Sequence, residues 1–169
     1  MMLADPEVRF LAASELFRIP LLAASMRALR CIPIDRTSPR QSITQIRELA
    51  TSEDDRSLVV FAEGGIGEGP LGKFRSGAFV IATARGIPVV PVAIWGAADV
   101  LPSHGRLSVR PGLVLVQLAE AIHAEPPHDH RMLRRRTHDT LAALLDEPVA
   151  RCIGTAHAAR PRPDASVSL

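Results

Sequence analysis

The stretch Phe61 to Phe79, FAEGGIGEGPLGKFRSGAF, gathers residue types that hold phosphate: glycines, cations and a carboxylate behind an apolar run. Gly67 to Lys73 fits the opening of a nucleotide-phosphate loop, G-x-x-x-x-G-K, and Gly67, Gly69 and Gly72 fit the dinucleotide pattern G-x-G-x-x-G. Each pattern needs a second anchor. The first requires a Ser or Thr hydroxyl after the lysine to ligate Mg²⁺, and Phe74 stands there. The second wants an acid about 20 residues onward for the ribose hydroxyls, and no Asp or Glu lies between Gly69 and Ala98. A nucleotide-binding, P-loop-like protein therefore stays as an alternative with half its signature missing. The plain alternative is a glycine-rich surface loop without a ligand.

Other chemistry is sparse. Cys31 and Cys152 are the two cysteines; they form no Cys-x-x-Cys pair and no Cys/His cluster, so neither a zinc site nor a disulfide framework is expected. That usage fits a reducing, cytoplasmic setting. The six histidines are scattered, and none has an aspartate five positions later.

The elements that must position the glycine loop follow from periodicity. A chain of 169 residues, 47% hydrophobic and 22% charged, is long enough for a substantial core. A net charge of +2, with one Trp and no Tyr, argues against a nucleic-acid partner. VRFLAA reads as a strand, followed by a helical run broken near Pro20 and a short strand in CIPID. Ser38, Pro39 and Gln41 form a helix start with a capping box, ahead of Ile43, Ile46 and Leu49 on one face. SLVVFA reads as a buried strand, Ser76–Arg85 as a helix stopped by Gly86, and IPVVPVAIW as a strand covered on both faces, irregular at its prolines. RLSVRPGLVLVQLAEAI suggests a strand pair around Pro111-Gly112, and Asp129 to Glu147 an amphipathic helix carrying Met132, Leu133, Leu141, Leu144 and Leu145. The fold expected is α/β: a single domain over residues 1–150 with a mixed, largely parallel sheet flanked by helices. Residues 151–169 are Pro- and Arg-rich and read as a disordered tail. No signal peptide or membrane-spanning run is expected, so any membrane contact would be peripheral, at the cytoplasmic face.

Three segments in order resemble the glycerolipid acyltransferase family, whose members acylate lysophosphatidic acid and related lysophospholipids. RFLAASELFRIPLLAASMRALRCIPIDR is similar to the block that ends in a strand and an arginine, here Arg36. VVFAEGGIGEGPLGKFRSGAF is similar to the F-P-E-G-T-R-S block with its following F-K-x-G-A, and GIPVVPVAIWG resembles the final Val-Pro-Val strand. The resemblance implies an acyltransferase-like fold and a lysophospholipid acceptor. The donor would be an acyl thioester on coenzyme A or acyl carrier protein, with no further cofactor. It places Arg36 on the acceptor phosphate, Glu63, Gly64 and Gly65 in the turn beneath it, and Arg75 as a second cation where lysine is usual. Pro91 would brace the strand behind. A turn opening into a helix offers amides to an anion, and guanidinium groups match phosphate geometry. Taken singly, Arg36 and Arg75 also read as solvated charges, Glu63 as a cap, and Arg134–Arg136 as a solvated helix face or a lipid-headgroup contact.

Two departures bear on activity. The family's H-x-x-x-x-D block, whose histidine takes the proton from the attacking hydroxyl, has no counterpart among these residues, so no catalytic residue is assigned. The expectation is a truncated, inactive acyltransferase, with a non-catalytic lysophospholipid- or acyl-binding domain as the alternative. Ile66 also stands where the block has arginine, which removes a phosphate donor, and Ala13 replaces a common lysine.

Overall fold

The computed structural model describes residues 8–65, 70–101, 109–125 and 129–146. The tail 151–169, Cys152, Ile66 to Gly69 and the segment 102–108 lie outside the described residues. The chain forms two compact units, the first from Met1–Val89 and His123–Arg135, the second from Val90–Ile122 and Arg136–Leu169.

The first unit is built on a three-stranded parallel sheet. Strand β1 (Val8–Ala13) lies between β2 (Ile32–Ile34) and β3 (Ser57–Val59), in the order β2-β1-β3. Ala13 sits opposite Ile34 on one side, and Phe10 opposite Val59 on the other. The expected parallel sheet is thus present, and Pro33 falls on an edge strand, where a missing N–H is tolerated. After β1 the chain makes a 3₁₀ turn (Ser14–Arg18) and then helix α1 from Pro20 to Ala28. Proline at its first position explains the break there.

Helix α2 (Pro39–Ala50) starts at Ser38, whose side chain accepts the N–H of Gln41. The other half of the expected capping box is made differently: Asp35 Oδ1, not Gln41, accepts the N–H of Ser38 at 3.3 Å. The apolar face is also narrower than its spacing suggested, for Ile43 is 49% exposed. Ile46 does pack inward. A Cβ on Gly77 would lie 2.8 Å from Ile46 Cδ1, so Gly77 is what lets α3 (Gly77–Arg85) approach α2. Phe79, Ile81 and Ala82 of α3 are buried, and Gly86 ends the helix in the left-handed conformation, as its sequence position predicts.

SLVVFA is a shorter strand than expected. Only Ser57–Val59 pairs, because Phe61 and Ala62 already turn away: their carbonyls accept from Gly64 and Arg75.

In the second unit, β4 (Val92–Trp95) and β5 (Leu115–Leu118) form an antiparallel pair, Val92 opposite Leu118 and Ile94 opposite Val116. The strand expected before Pro111, over 106–110, lies mostly outside the described residues; residues 109–114 carry no strand, and β5 pairs with β4. One expectation is corrected: β4, read as covered on both faces, has one face open, since Val92 and Ile94 are exposed while Ala93 is buried. Pro91, fully buried, accepts the N–H of Ala119 at 2.9 Å and anchors the base of the pair. A short helix α4 (Ala97–Val100) follows β4. Helix α5 (His130–Leu145) belongs to the first unit up to Arg135 and to the second from Arg136 onward, and it buries Leu133, Thr137 and Leu144, at i, i+4 and i+11. Met132, expected on that face, is exposed.

Candidate functional site

The loops leaving the carboxyl ends of β1, β2 and β3 carry Glu15, Arg36 and Glu63 respectively. The first strand lies in the middle of the sheet, with β2 on one side and β3 on the other. In open parallel sheets, ligands bind outside the strand carboxyl ends where the connections reverse direction.

The loop after β2 is held rigidly. Asp35 Oδ1 accepts from the N–H of Thr37 at 2.8 Å and from its hydroxyl at 2.7 Å. The Asp35 N–H donates to Gln45 Oε1 at 3.1 Å, and its carbonyl accepts from the Ser42 hydroxyl. The Thr37 hydroxyl bond, more than any other contact, lowers the pKa of the Asp35 carboxyl. With both neighbours fastened, the exposed Arg36 reaches across 28 residues of sequence and donates from Nη1 to the carbonyl of Gly64.

The glycine turn is shaped by its own residues. Gly64 has φ +70°, in the left-handed region, and its N–H bonds the carbonyl of Phe61 at 2.9 Å. Glu63 Oε2 accepts the N–H of Gly72 at 2.9 Å, which closes the neck of the loop between them. A Cβ on Gly72 would lie 2.5 Å from that oxygen, so glycine is needed for the approach. Gly65 is exposed, with open space where a side chain would go.

Arg75 owes its position to Phe74. The Phe74 ring is buried and stacks on Phe79, centroids 6.2 Å apart and planes 8° from parallel. The next residue points away from that core. Its N–H donates to the Ala62 carbonyl at 2.8 Å, and its side chain covers Gly64, where a Cβ would meet Cδ and Nε at 2.5 Å. Phe74, where a Walker-type loop needs a hydroxyl, is here a core residue.

The structure therefore brings Arg36, Glu63, Gly64 and Arg75 together, with Gly65 beside them. Two guanidinium groups converge on Gly64, Arg36 at its carbonyl and Arg75 over its Cα, while the neighbouring Glu63 carboxylate is engaged by the Gly72 amide. Such a turn can hold an anion through paired, planar donors. Among the described residues, no group of three or more His, Cys, Asp or Glu could hold a metal ion.

Residues 1–95 match the model of the family described as Acyltransferase. The chain belongs to that family. It is 28% identical over 117 residues to the chloroplastic 1-acyl-sn-glycerol-3-phosphate acyltransferase BAT2 of Brassica napus, an overlap of 68% of this chain and 34% of that protein. It is 31% identical over 114 residues to the 1-acyl-sn-glycerol-3-phosphate acyltransferase of Pseudomonas aeruginosa, covering 66% of this chain and 44% of that one. The chain thus spans less than half the length of these relatives. The crystal structure of the 1-acyl-sn-glycerophosphate acyltransferase PlsC from Thermotoga maritima superposes over 92% of this chain and 59% of its own, with a TM-score of 0.62 and 24% identity. The α/β fold is therefore that of an acyltransferase, and the nucleotide readings of the glycine loop give way to family membership.

Sequence reasoning missed Glu15 and the arginine cluster around Asp54. Asp54 accepts from Arg9 and, through both oxygens, from Arg56 at 2.7 and 2.8 Å, while its carbonyl accepts from Arg85. The Arg56 side-chain bonds, above all, hold its carboxyl far below the usual carboxylate range. No local spacing links residues 9, 54, 56 and 85, so only the fold could reveal them.

Proposed function

We propose that this acyltransferase-family chain binds the phosphate of a lysophosphatidic-acid-type acceptor at Arg36, Arg75 and the Glu63–Gly65 turn. The acyl group would come from a thioester on coenzyme A or acyl carrier protein, for phospholipid biosynthesis. The observation that carries this reading is the Arg36 guanidinium on the Gly64 carbonyl, with Arg75 laid over the same glycine. Both cations face one turn at the carboxyl edge of the sheet. Phosphate would replace a single carbonyl contact of Arg36 with a bidentate, charge-assisted one.

In the transfer itself, the acceptor hydroxyl oxygen attacks the thioester carbonyl carbon, the thiolate leaves, and the hydroxyl proton passes to a base. Arg36 and Arg75 orient the acceptor but cannot accept that proton. Since no histidine within these 169 residues has an aspartate five positions later, we infer that the chain alone binds without turning over. A purely binding role for the domain is the second reading, favoured by that same absence.

A peripheral position on a membrane's cytoplasmic face suits a lipid acceptor. Leu16, Ile19 and Leu22, on the 3₁₀ turn and α1, are exposed apolar side chains. Among the described residues no helix is long and apolar enough to cross a membrane.

The test combines titration and assay. The chain should bind sn-glycerol 3-phosphate, Arg36→Ala should weaken it at least about tenfold, and acyl-CoA with lysophosphatidic acid should give no product. Fusing an upstream segment bearing H-x-x-x-x-D should restore transfer if the enzymatic reading holds; no rescue in a folded, phosphate-binding fusion would favour the binding-domain reading. Turnover by the chain alone would show that another base exists, and no phosphate binding would remove the site.

A further inference from the structure

Glu15 is the second residue beyond β1, the central strand. Its Oε2 is withdrawn from solvent and has no hydrogen-bond partner. Among the described residues, Thr83 Oγ1 is the other buried side-chain atom in that state, but a hydroxyl carries its own donor and can rotate toward an acceptor. A carboxylate is acceptor-only and cannot relieve itself, so leaving its oxygen dry and unmatched is the costlier defect. A buried polar atom of this kind calls for an explanation, and a donor group brought by a ligand supplies one.

The sheet says where that ligand would be. Ala13 lies opposite Ile34 where the paired register ends, so Glu15, in the 3₁₀ turn two residues beyond β1, and Arg36, two residues beyond β2, leave neighbouring strands at the same carboxyl edge. On the other side of β1, the chain beyond β3 leads into Glu63 and Gly64. Glu15 therefore leaves the sheet between the two segments that carry the cations and the glycine turn. Its chemistry is the opposite of theirs. Arg36 and Arg75 attract a phosphate, whereas a carboxylate repels one and accepts a donor group.

We propose that Glu15 binds the free hydroxyl of the acceptor, so that the site reads a phosphate ester of a polyol at both ends. This rests on the phosphate reading of Arg36 and the glycine turn. Glu15 is a positioning residue: it fixes the hydroxyl-bearing carbon while the guanidinium groups fix the phosphate.

Two ligands separate the ends. The full chain is titrated calorimetrically with sn-glycerol 3-phosphate and with inorganic phosphate, as wild type, Glu15→Ala, Glu15→Gln and Arg36→Ala. The wild type should prefer glycerol 3-phosphate. Glu15→Ala should lose about tenfold for that ligand while holding inorganic phosphate as well as before, and Glu15→Gln, which keeps one acceptor oxygen, should fall between. Arg36→Ala should weaken both. The melting temperature of Glu15→Ala should not drop, because an unmatched buried carboxylate oxygen has been removed; this separates a binding role from a structural one. If Glu15→Ala leaves the preference intact, or weakens both ligands equally, the proposal is overturned while the phosphate site stands on the Arg36 result. If Arg36→Ala changes neither ligand, the phosphate reading falls and the Glu15 proposal with it.

Discussion

Arg75 lies over Gly64 so closely that the Cβ of any other residue at position 64 would come within 2.5 Å of its Cδ and Nε. Gly64 also has φ +70°, a conformation that costs an L-residue about 1–2 kcal/mol. Gly64→Ala should therefore lower stability by about that amount and push Arg75 off the turn, weakening phosphate binding in parallel. Gly65→Ala is the control. It meets nothing within 4 Å and has no positive φ, so its folding stability should stay near wild type. Denaturant titration and phosphate titration of the two variants check this; equal behaviour would show that Arg75 is not set by Gly64.

The Glu63–Gly72 bond ties the two ends of the glycine loop at 2.9 Å. Glu63→Ala leaves the Gly72 N–H without its acceptor, whereas Glu63→Gln retains a carbonyl oxygen at the same reach. Hydrogen exchange at the Gly72 amide should rise about tenfold or more in the alanine variant, for a bond to a charged group worth about 1.5–3 kcal/mol, and less in the glutamine variant. Unchanged exchange in both would mean that other contacts close the loop.

These two glycines mark the limit of what the chain disclosed before folding. Ser38-Pro39 and Gly86 were legible because caps act within a few residues. The order β1, α1, β2, α2, β3 was legible because its periods are local. The pairing of β4 with β5 was not, since Val92 and Leu118 meet only through tertiary register. Phe74 shows the same limit at the site: the sequence reveals only that it cannot ligate Mg²⁺. Its burial, which turns Arg75 toward Gly64, depends on the α3 core. Glu15 escaped notice because an unmatched oxygen has no sequence signature at all.

Asp54 offers a pH test. Its pKa is lowered in the folded protein, first by the Arg56 side-chain bonds and further by Arg9, against about 3.9 when unfolded. A depressed carboxyl stabilises the fold above its unfolded pKa, and that contribution is lost as pH falls through the folded value. The wild type should therefore lose stability from about pH 4 downward. Asp54→Asn should be less stable at pH 7 and show a shallower acid slope, since Asp35, also lowered, remains. Chemical denaturation at a series of pH values reads both; parallel slopes in the two proteins would remove Asp54 as a contributor.

The end of α1 holds the clearest opening for stabilisation. The Cys31 N–H returns to the Met26 carbonyl at 2.9 Å and the Arg30 N–H to the Arg27 carbonyl at 3.0 Å, the double bond pattern of a Schellman stop. That motif puts one residue in the left-handed region, and here it is Arg30, with φ 52°. Gly86 fills the corresponding role after α3 with φ 63°. Arg30 is exposed, and the neighbouring bond from Arg9 uses its backbone carbonyl, which glycine keeps. Arg30→Gly should relieve the left-handed strain of about 1–2 kcal/mol at the cost of some added chain entropy, for a net gain near 1 kcal/mol. Gly86→Ala should do the reverse by a similar amount. Denaturation midpoints of the two variants decide it, and a loss of stability in Arg30→Gly would show that the arginine side chain holds the α1–β2 corner by a contact worth more than the strain.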